Sequence, residues 1–242
     1  MDQKLAALGE ALPRLLDGLW VTVELTALGG LAAFVLSVIL GLAAAHPSRW
    51  ARIPARIIIE FFRGTSLVVQ LFWLFFVLPL LGINMHPLVV GILALGLNYG
   101  AYGAEVVRGS INSVPTGQWE ATTALSLGPA QRMYRIIFPQ AWALMIPSLS
   151  NLLIHLMKGT AIVSFITIAD FTYHLDQLKR VTDTIFAYGV VGLLGYFVFA
   201  LILTFLMNVL ENRAKRKLGQ GITLRKVLSP APTATNPTGG AA

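Results

Sequence analysis

The sequence contains no cysteine, which excludes disulfide bonds and thiolate-ligated metal sites. Charged residues are scarce as well, at 12% of the 242 residues, about half the fraction found in an ordinary soluble domain. Hydrophobic residues make up 56% of the chain. Because each membrane-spanning helix takes about 20 apolar residues, this composition predicts an integral membrane protein with no room for a large soluble domain.

The motifs of several function classes are missing too. There is no HExxH, no paired catalytic carboxylates, no GxSxG elbow and no metal-ligand spacing among the histidines. A GxxxxGK[ST] phosphate loop is also absent, so we expect no bound nucleotide, cofactor or metal on this chain. The net charge of +7 could indicate a nucleic-acid partner. In a membrane protein, however, it is typical of Lys and Arg retained on the cytoplasmic side, so we expect no nucleic acid.

Long apolar segments dominate what is present. They predict an all-α integral membrane protein with five membrane-spanning helices. The segments are Leu19 to Ala45, Ile57 to Leu81, Leu88 to Val107, Ala141 to Ala169 and Ile185 to Leu210. Pro147 and the triplet Lys158-Gly159-Thr160 predict a bend or a partly re-entrant piece in the fourth segment.

The two ends of the chain differ from the spans. Leucines recur at helical spacing through residues 1–18, which predicts an amphipathic helix at the membrane interface, although a frayed polar terminus fits as well. These leucines, which continue into the first span, are Leu5, Leu8, Leu12, Leu15 and Leu19. No cleaved signal peptide is expected, because no basic segment with a short apolar core begins the chain. Residues 218–242 are rich in Pro, Gly and small residues and are predicted to be disordered.

Basic residues are distributed unevenly between the loops, and this predicts the orientation of the spans. With the amino terminus outside and the carboxy terminus inside, most of them face the cytoplasm, as the positive-inside rule requires. They are Arg49, Arg52, Arg56, Arg108, Arg132, Arg135, Arg213, Lys215, Arg216 and Lys217. This topology also places residues 109–140 at the cytoplasmic surface.

Polar side chains inside the spans follow helical spacing and form three rows. The rows are Arg63, Ser66, Gln70 and Trp73, then Asn98, Tyr102 and Glu105, then Ser148, Asn151, His155 and Lys158. A charge near the bilayer centre costs about 3 kcal/mol, so these rows should face one another or water, and we interpret them as a solute path. For Arg63 and Glu105, near the span ends, snorkelling or helix-helix hydrogen bonds fit equally well. Gly96, Gly100 and Ala104 indicate close helix packing.

The stretch QWEATTALSLGPAQRMYRIIFPQA, residues 118–141, interrupts the apolar pattern. Thr116 is predicted to cap a helix that begins near Gly117, with Glu120 in its first turn. The pair Gly128-Pro129 should end this helix and start a second one that runs to about Phe138. Trp119, Leu125 and Leu127 supply apolar anchors. Such an element suits docking into a groove of a cytoplasmic partner, and an interfacial helix without a partner fits equally well.

The same stretch resembles the EAA loop of permease subunits of bacterial ABC importers. The family pattern is Glu-Ala-Ala, three residues, Gly, and nine residues before Ile-x-Leu-Pro. Here it reads Glu120-Ala121-Thr122, Ser126 at the glycine position, and Ile136-Ile137-Phe138-Pro139. The third Ala, the Gly and the Leu therefore differ, which leaves open whether Gly128 takes over as the residue that breaks the helix.

Further blocks are similar to the polar amino acid branch of that family. They are TVELTALGG near Thr22, FFRGTSLVVQLF at 61–72, YGAYGAEVVRGSINSVPTGQWEA at 99–121, FPQA at 138–141 and the region 151–160. The resemblance covers about residues 18–217. Where the branch usually has Lys-Asp-Thr-Ser-Leu, this chain has Lys158-Gly159-Thr160-Ala161-Ile162, which points to a different solute.

The resemblance implies a permease domain at residues 19–217 of a bacterial inner membrane protein, with a cytoplasmic coupling loop at 109–140. It implies an ABC ATPase dimer that binds the ATP, a second permease subunit, identical or similar, a periplasmic or lipid-anchored solute-binding protein, and surrounding membrane lipid. The solute would be a polar amino acid or a related zwitterion such as an opine or ectoine.

The resemblance also implies roles for individual residues. Those expected at the ATPase are Trp119, Glu120, Ala121, Thr122, Leu125, Ser126 and Gly128, and those expected along the solute path are Arg63, Gln70, Asn98, Tyr102, Glu105, Asn151, His155 and Lys158. An ATP-independent secondary transporter or channel would explain the polar rows but not the insert at 118–141. A purely structural membrane anchor would not need Asn151, His155 and Lys158 on one face.

Overall fold

The structure, a computed structural model, describes the backbone of residues 2–217 and the side chains of residues 2–213. The tail at 218–242, predicted to be disordered, lies outside the described residues. All regular secondary structure in the described part is helical, which confirms the all-α fold. The α-helices are α1 (Asp2–Ala45), α2 (Arg49–Gly64), α3 (Leu67–Phe72), α4 (Pro87–Asn112), α5 (Thr116–Ala124), α6 (Pro129–Arg132), α7 (Phe138–Gly159), α8 (Phe171–Val181) and α9 (Leu193–Lys217).

Shorter helical segments of other geometry join some of these helices. The π-helical segments are Trp73–Val77, Met133–Ile137 and Ile185–Gly192, and the 3-10 segments are Leu78–Leu81 and Thr160–Ile166. Four continuous helical stretches are long and apolar enough to cross a membrane, namely Asp2–Ala45, Pro87–Asn112, Pro129–Ile166 and Ile185–Arg213. Arg49–Gly64 and Leu67–Leu81 are long and apolar enough only as a pair and are bent by 100° where they meet, so the described residues have four such spans, or five if this pair counts as one. The orientation of the spans stays a prediction.

The first helix is continuous across residue 18, the predicted boundary between the amino-terminal segment and the permease domain. α1 runs without interruption over 44 residues, about 66 Å, which is twice the thickness of the hydrocarbon core. Its leucine stripe is amphipathic, but Leu15 is buried against Phe171 and Leu175 of α8, whereas Leu5 and Leu12 are half exposed. Residues 2–18 therefore continue the helix of the first span and contact α8 with one face.

The second span contains a break that was not predicted from the sequence. α2 ends at Gly64, and Thr65 and Ser66 are extended, with ψ of 148° and 137°, before α3 begins at Leu67. The predicted row Arg63, Ser66, Gln70 and Trp73 therefore does not lie on one helix face, because the helix direction changes within it.

The core of the bundle is the contact between α1 and α4. Small residues allow the two backbones to approach, as the spacing of Gly96 and Gly100 predicts: a Cβ at Gly96 would lie 2.9 Å from the Cβ of Ala32. At Gly103 a side chain would overlap Ser37, whose hydroxyl donates to the carbonyls of Ala33 at 2.6 Å and Gly100 at 3.1 Å. Leu25 and Leu95 are fully buried in the same cluster.

The fourth span begins earlier than predicted. Residues 129–166 form one helical stretch, so the helix that starts at Pro129 does not end before Pro139. Pro139 lies in the first turn of α7, directly after the π-helical segment Met133–Ile137. A proline normally clashes with the carbonyl four residues earlier, and the wider π turn removes that clash. The predicted change at Lys158-Gly159-Thr160 is the switch from α7 to the 3-10 segment Thr160–Ile166.

Candidate functional site

The insert at 118–141 folds as a short helix, a tight turn and the start of the fourth span. α5 begins at Thr116 with Pro115 as the preceding residue, so Thr116 is the first helical residue and not the predicted cap. The turn after α5 is a Schellman motif: the N–H of Ser126 donates to the carbonyl of Thr123 at 2.9 Å, and the N–H of Leu127 donates to that of Thr122 at 3.1 Å.

Ser126 has the left-handed backbone conformation of this motif. Its φ is 53°, at the position where the EAA pattern has glycine, and this conformation costs a non-glycine residue about 1–2 kcal/mol. Gly128 has a φ of −62° and precedes α6 as its extended N-cap residue. The helix therefore ends at Ala124, before the predicted Gly128-Pro129 stop, and Ser126 rather than Gly128 makes the turn.

The seven residues expected at the ATPase divide into an inner and an outer group. Trp119 packs against the cluster formed by α4 and the fourth span, and Thr122, 3% exposed, donates its hydroxyl to the Trp119 carbonyl at 2.7 Å. The other five are exposed and are called the α5 surface below: Glu120, Ala121, Leu125, Ser126 and Gly128. Leu125, at 71% exposure, is the apolar side chain of this surface.

Two further side chains belong to this region and were not predicted. Tyr134, 81% exposed, lies in the π-helical segment after α6. The Nε2 of Gln140 donates to the Oε1 of Gln118 at 3.2 Å and to the carbonyl of Ile136 at 3.0 Å, which ties the start of α5 to α7. The only indication of Tyr134 in the sequence is that an aromatic residue lies between Arg132 and Arg135, outside the apolar segments.

Three of the predicted path residues hold the break in the second span. Nε2 of Gln70 donates to the carbonyl of Phe62 at 2.8 Å and to the hydroxyl of Thr65 at 2.5 Å. Nδ2 of Asn98 donates to the same Phe62 carbonyl at 3.3 Å, and the hydroxyl of Tyr102 donates to the carbonyl of Arg63 at 3.3 Å. A helix that ends inside a membrane must satisfy its last carbonyls, and these side chains do so.

The charged residues of the second and third spans are paired locally. Arg108 binds Glu105 with two contacts, Nε to Oε1 at 3.0 Å and Nη2 to Oε2 at 2.6 Å. Nη1 of Arg63 lies 3.2 Å from Oε1 of Glu60, and its guanidinium lies 5.5 Å from the centre of the Tyr102 ring. Arg63 and Glu105 therefore belong to different ion pairs.

The side chains of the polar row on α7 are exposed in the structure. Ser148, Asn151, His155 and Lys158 are all exposed on this chain. They share a helix face because they are three or four residues apart, as the sequence predicts. Exposed polar side chains within a span are costly against lipid, so this face requires water or another polypeptide.

Tyr99 and Gly159 join this row to α4. The hydroxyl of Tyr99 donates to the carbonyl of His155 at 3.0 Å, and a Cβ at Gly159 would lie 2.5 Å from that same hydroxyl. The phenol ring thus fills the space in which a side chain at position 159 would begin. Tyr99 was not predicted, and the signal for it was the glycine in place of the usual Asp.

A buried carboxylate lies near the end of the fourth span. Asp170 has no exposed surface, and its Oδ1 accepts a hydrogen bond from the N–H of Tyr173 at 2.9 Å as the N-cap of α8. Burial raises the pKa of Asp170 to about 6. The next residue, Phe171, donates its N–H to the hydroxyl of Thr22 at 3.2 Å, so the start of α8 is fixed to α1.

Comparisons with known proteins agree with this arrangement. A family model described as the inner membrane component of binding-protein-dependent transport systems matches residues 37–216. A probable amino-acid ABC transporter permease protein, y4tF of Sinorhizobium fredii, is 43% identical over 209 residues, covering 84% of this chain and 87% of the relative. The L-cystine transport system permease protein TcyB of Bacillus subtilis is 33% identical over 205 residues, covering 84% of this chain and 88% of the relative.

Solved structures show the same fold. A chain in the crystal structure of an amino acid ABC transporter with histidines matches with a TM-score of 0.78 and 32% identity, over 86% of this chain and 97% of that chain. An inward-facing MetNI methionine ABC transporter matches with a TM-score of 0.63 at 22% identity, over 84% of this chain and 95% of that chain, which supports the fold alone.

The family model covers most of the chain, and both relatives are aligned along most of their length. The chain therefore belongs to the family of inner membrane components of binding-protein-dependent transport systems, the permease subunits of ABC importers, whose ATPase is a separate chain.

Proposed function

We propose that this permease carries a polar amino acid, or a related zwitterion such as an opine or ectoine, across the bacterial inner membrane. The amino-acid permeases among its relatives support the solute class. The α5 surface carries the proposal, because it places the EAA-like residues on a projecting helix and turn that the rest of the chain leaves exposed. A channel or secondary transporter has no need of such a surface.

The ATPase dimer docks on the α5 surface. Leu125 offers an apolar side chain and Glu120 a charge, while Trp119 and Thr122 anchor α5 to the membrane domain from the opposite side. A displacement of α5 reaches α7 through the hydrogen bond between Gln118 and Gln140. α7 also carries Asn151, so the helix that receives a displacement of α5 is also the helix that lines the proposed path.

The second permease subunit, identical or similar, covers the exposed face of α7. The cost of placing Asn151, His155 and Lys158 against lipid supports this, because a facing subunit would enclose them around a polar passage. Glu60 and Arg63, partly exposed on α2, border the passage at its predicted cytoplasmic half. Gln70 and Asn98, 7% and 5% exposed, support the wall of the passage rather than its surface.

The solute-binding protein delivers the solute from the outside. In the proposed orientation, amino terminus out and carboxy terminus in, the first turns of α1 and the exposed side of α8 face this protein. The Lys4 ammonium pairs with the Asp183 carboxylate, which fixes the tip of α1 to the start of the last span. This part of the chain thus presents a folded surface for docking.

Reconstitution tests the proposal. The full chain is co-purified with its partner chains in mild detergent, and uptake of labelled amino acids into proteoliposomes is measured with and without ATP. We expect ATP-dependent uptake in the wild type, and loss of both the ATPase chain and the uptake in Glu120→Lys. The matched control is Arg49→Glu, the charge reversal of an exposed residue on α2, which should retain both. Uptake by a chain that carries no ATPase would overturn the proposal in favour of a secondary transporter or channel.

A further inference from the structure

An elongated cavity lies between α1, α7 and α9, apart from the α5 surface and the exposed row on α7. Its volume is about 670 Å³. We refer to it as the α9 cavity, and its lining includes Ala27 and Phe34 of α1, Trp142 and Leu153 of α7, and Leu203 and Leu210 of α9.

The lining of the α9 cavity offers almost nothing to a polar solute. The hydroxyls of Thr26, Ser37 and Ser150 each donate to a main-chain carbonyl of their own helix, at 2.7, 2.6 and 2.8 Å. The hydroxyl of Tyr99 is likewise engaged, with the carbonyl of His155 at 3.0 Å. A polar molecule would lose its hydration there without replacement, so the occupant must be apolar where it contacts the lining.

The dimensions of the cavity suit an extended hydrocarbon chain. On α1 the lining extends from Val23 to Ser37, which corresponds to a length of about 21 Å. A volume of 670 Å³ over that length gives a mean cross-section of about 32 Å². The cavity is therefore long and narrow, as an extended acyl chain requires.

The cavity opens to the membrane along its side. Leu31, Leu206 and Leu210 line it and are also more than half exposed. An apolar cavity of this size does not attract water, which needs polar partners, and if it stayed empty its lining would lose dispersion contacts. Within the hydrocarbon core, the molecules available to fill it are the acyl chains of lipids.

The positive charge near one end of the cavity indicates which lipids would bind there. The lining on α9 ends at Leu210, and the same helix continues to Lys217. Four basic residues follow within that extension: Arg213, Lys215, Arg216 and Lys217. A cluster of this size directly after a span attracts anionic headgroups, at about 1 kcal/mol for each basic residue.

We propose that the α9 cavity binds an acyl chain of an anionic phospholipid whose headgroup lies at the basic end of α9. The cavity is apolar, narrow and open to the membrane, so it selects an acyl chain. The basic cluster selects an anionic headgroup. The lipid then fills the contact between α9 and the α1–α7 body. This site does not depend on the identity of the transported solute.

Native mass spectrometry of the full-length chain with its co-purified partners tests the proposal. The protein is equilibrated with phosphatidylglycerol and phosphatidylcholine of identical acyl chains, and the lipids that remain bound are counted. The wild type should retain one phosphatidylglycerol per chain in preference to phosphatidylcholine. Ala27→Trp should fill the cavity and remove that lipid, whereas Val35→Trp, on the exposed side of the same helix and outside the lining, should retain it.

The headgroup contact is tested separately. Arg213→Gln should lower the preference for phosphatidylglycerol about five-fold, the factor that corresponds to about 1 kcal/mol, while Lys179→Gln at the end of α8 should leave it unchanged. Leu203→Trp is a second cavity-filling variant should Ala27→Trp not elute as a folded protein. Equal retention in a folded cavity-filling variant and in Val35→Trp would overturn the proposal, and so would equal retention of the two lipids by the wild type.

Discussion

The phenol of Tyr99 occupies the space in which a side chain at Gly159 would begin. A Cβ at position 159 would lie 2.5 Å from the Tyr99 hydroxyl and 3.2 Å from two ring carbons. The same hydroxyl donates to the carbonyl of His155, one turn earlier on α7. Tyr99 therefore leaves room only for a glycine at position 159, across the α4–α7 contact.

Gly159→Ala should therefore destabilise the protein by about 1–3 kcal/mol, because the tyrosine ring must move out of a packed contact. The control is Gly109→Ala, a helical glycine of α4 whose Cβ would meet nothing within 4 Å, which should be neutral or slightly stabilising. Thermal unfolding in detergent measures both. The double variant with Tyr99→Leu should recover part of the loss, and an unchanged Gly159→Ala melting temperature would contradict the contact.

Ser126→Gly should stabilise the protein by about 1 kcal/mol, since glycine adopts the left-handed conformation of this turn without the steric cost that serine has. Ser126→Val should have the opposite effect. Ala121→Gly, an exposed position inside α5, is the matched control and should cost about 1 kcal/mol. A denaturation series of the three variants checks the sign, and a loss of stability in Ser126→Gly would show that the turn is not left-handed.

Gln70→Leu should lower the free energy of unfolding by about 1–3 kcal/mol, because the carbonyl of Phe62 loses its shorter hydrogen bond inside the bundle. Val69→Leu, at an exposed neighbouring position, should change it by less than about 0.5 kcal/mol. The comparison separates a residue that holds the helix break from one that contacts solute. A fully stable Gln70→Leu that transports less solute would restore Gln70 to the path.

Asn151→Leu and His155→Leu should leave the stability almost unchanged and reduce solute uptake, because both side chains are exposed on this chain and lie on the proposed passage. Uptake kinetics in proteoliposomes measure the effect at equal amounts of co-purified ATPase. Leu144→Asn, exposed on α7 before the row, is the reciprocal control and should not affect solute affinity. If both variants transport normally, the row contributes to subunit packing alone.

Asp170→Asn should remove a pH dependence of stability. The folded chain holds the Asp170 proton up to about pH 6, whereas the unfolded chain releases it near pH 3.9, so the free energy of unfolding falls as the pH rises from about 4 to 6. The difference corresponds to at most about 3 kcal/mol above pH 6. Asparagine retains the capping hydrogen bond and carries no charge, so the variant should melt higher than the wild type at pH 8.

Melting curves at pH 5 and pH 8 check this prediction. Asp176→Asn is the control, because Asp176 forms exposed ion pairs with Lys179 and Arg180 that contribute little to stability. A parallel pH response in the wild type and Asp170→Asn would show that the buried carboxylate does not titrate in this range.

The features that the sequence predicted correctly depend on periodicity within one element. The row on α7 is an example, because the positions of Asn151, His155 and Lys158 relative to one another follow from helix geometry alone. The break after Gly64 could not be predicted in the same way. Arg63, Gly64, Thr65 and Ser66 interrupt the apolar residues of FFRGTSLVVQLF, but the side chains that stabilise the break include Asn98 and Tyr102, which come from another helix.

Two other differences have the same origin in tertiary contacts. The leucines of residues 2–18 indicated an amphipathic helix, but the sequence did not show that Leu15 packs on α8, because that surface is formed some 155 residues later. Pro139 suggested a helix end, but it follows the π-helical segment Met133–Ile137, whose last residue is buried in a core built from α4 and α7 as well. Local pattern therefore located the elements, and long-range packing determined where they join.

The length of α1 has a mechanical consequence. Between Pro13 and Pro47 the chain has no proline, so one stiff rod connects Ala44, which packs near Ile59 of α2, with Leu15, which packs on α8. The distance along this rod is about 44 Å. A tilt of only about 5° at one end would shift the other by about 4 Å over that length. α8 on one side of the membrane can therefore follow a movement that begins beside α2 on the other.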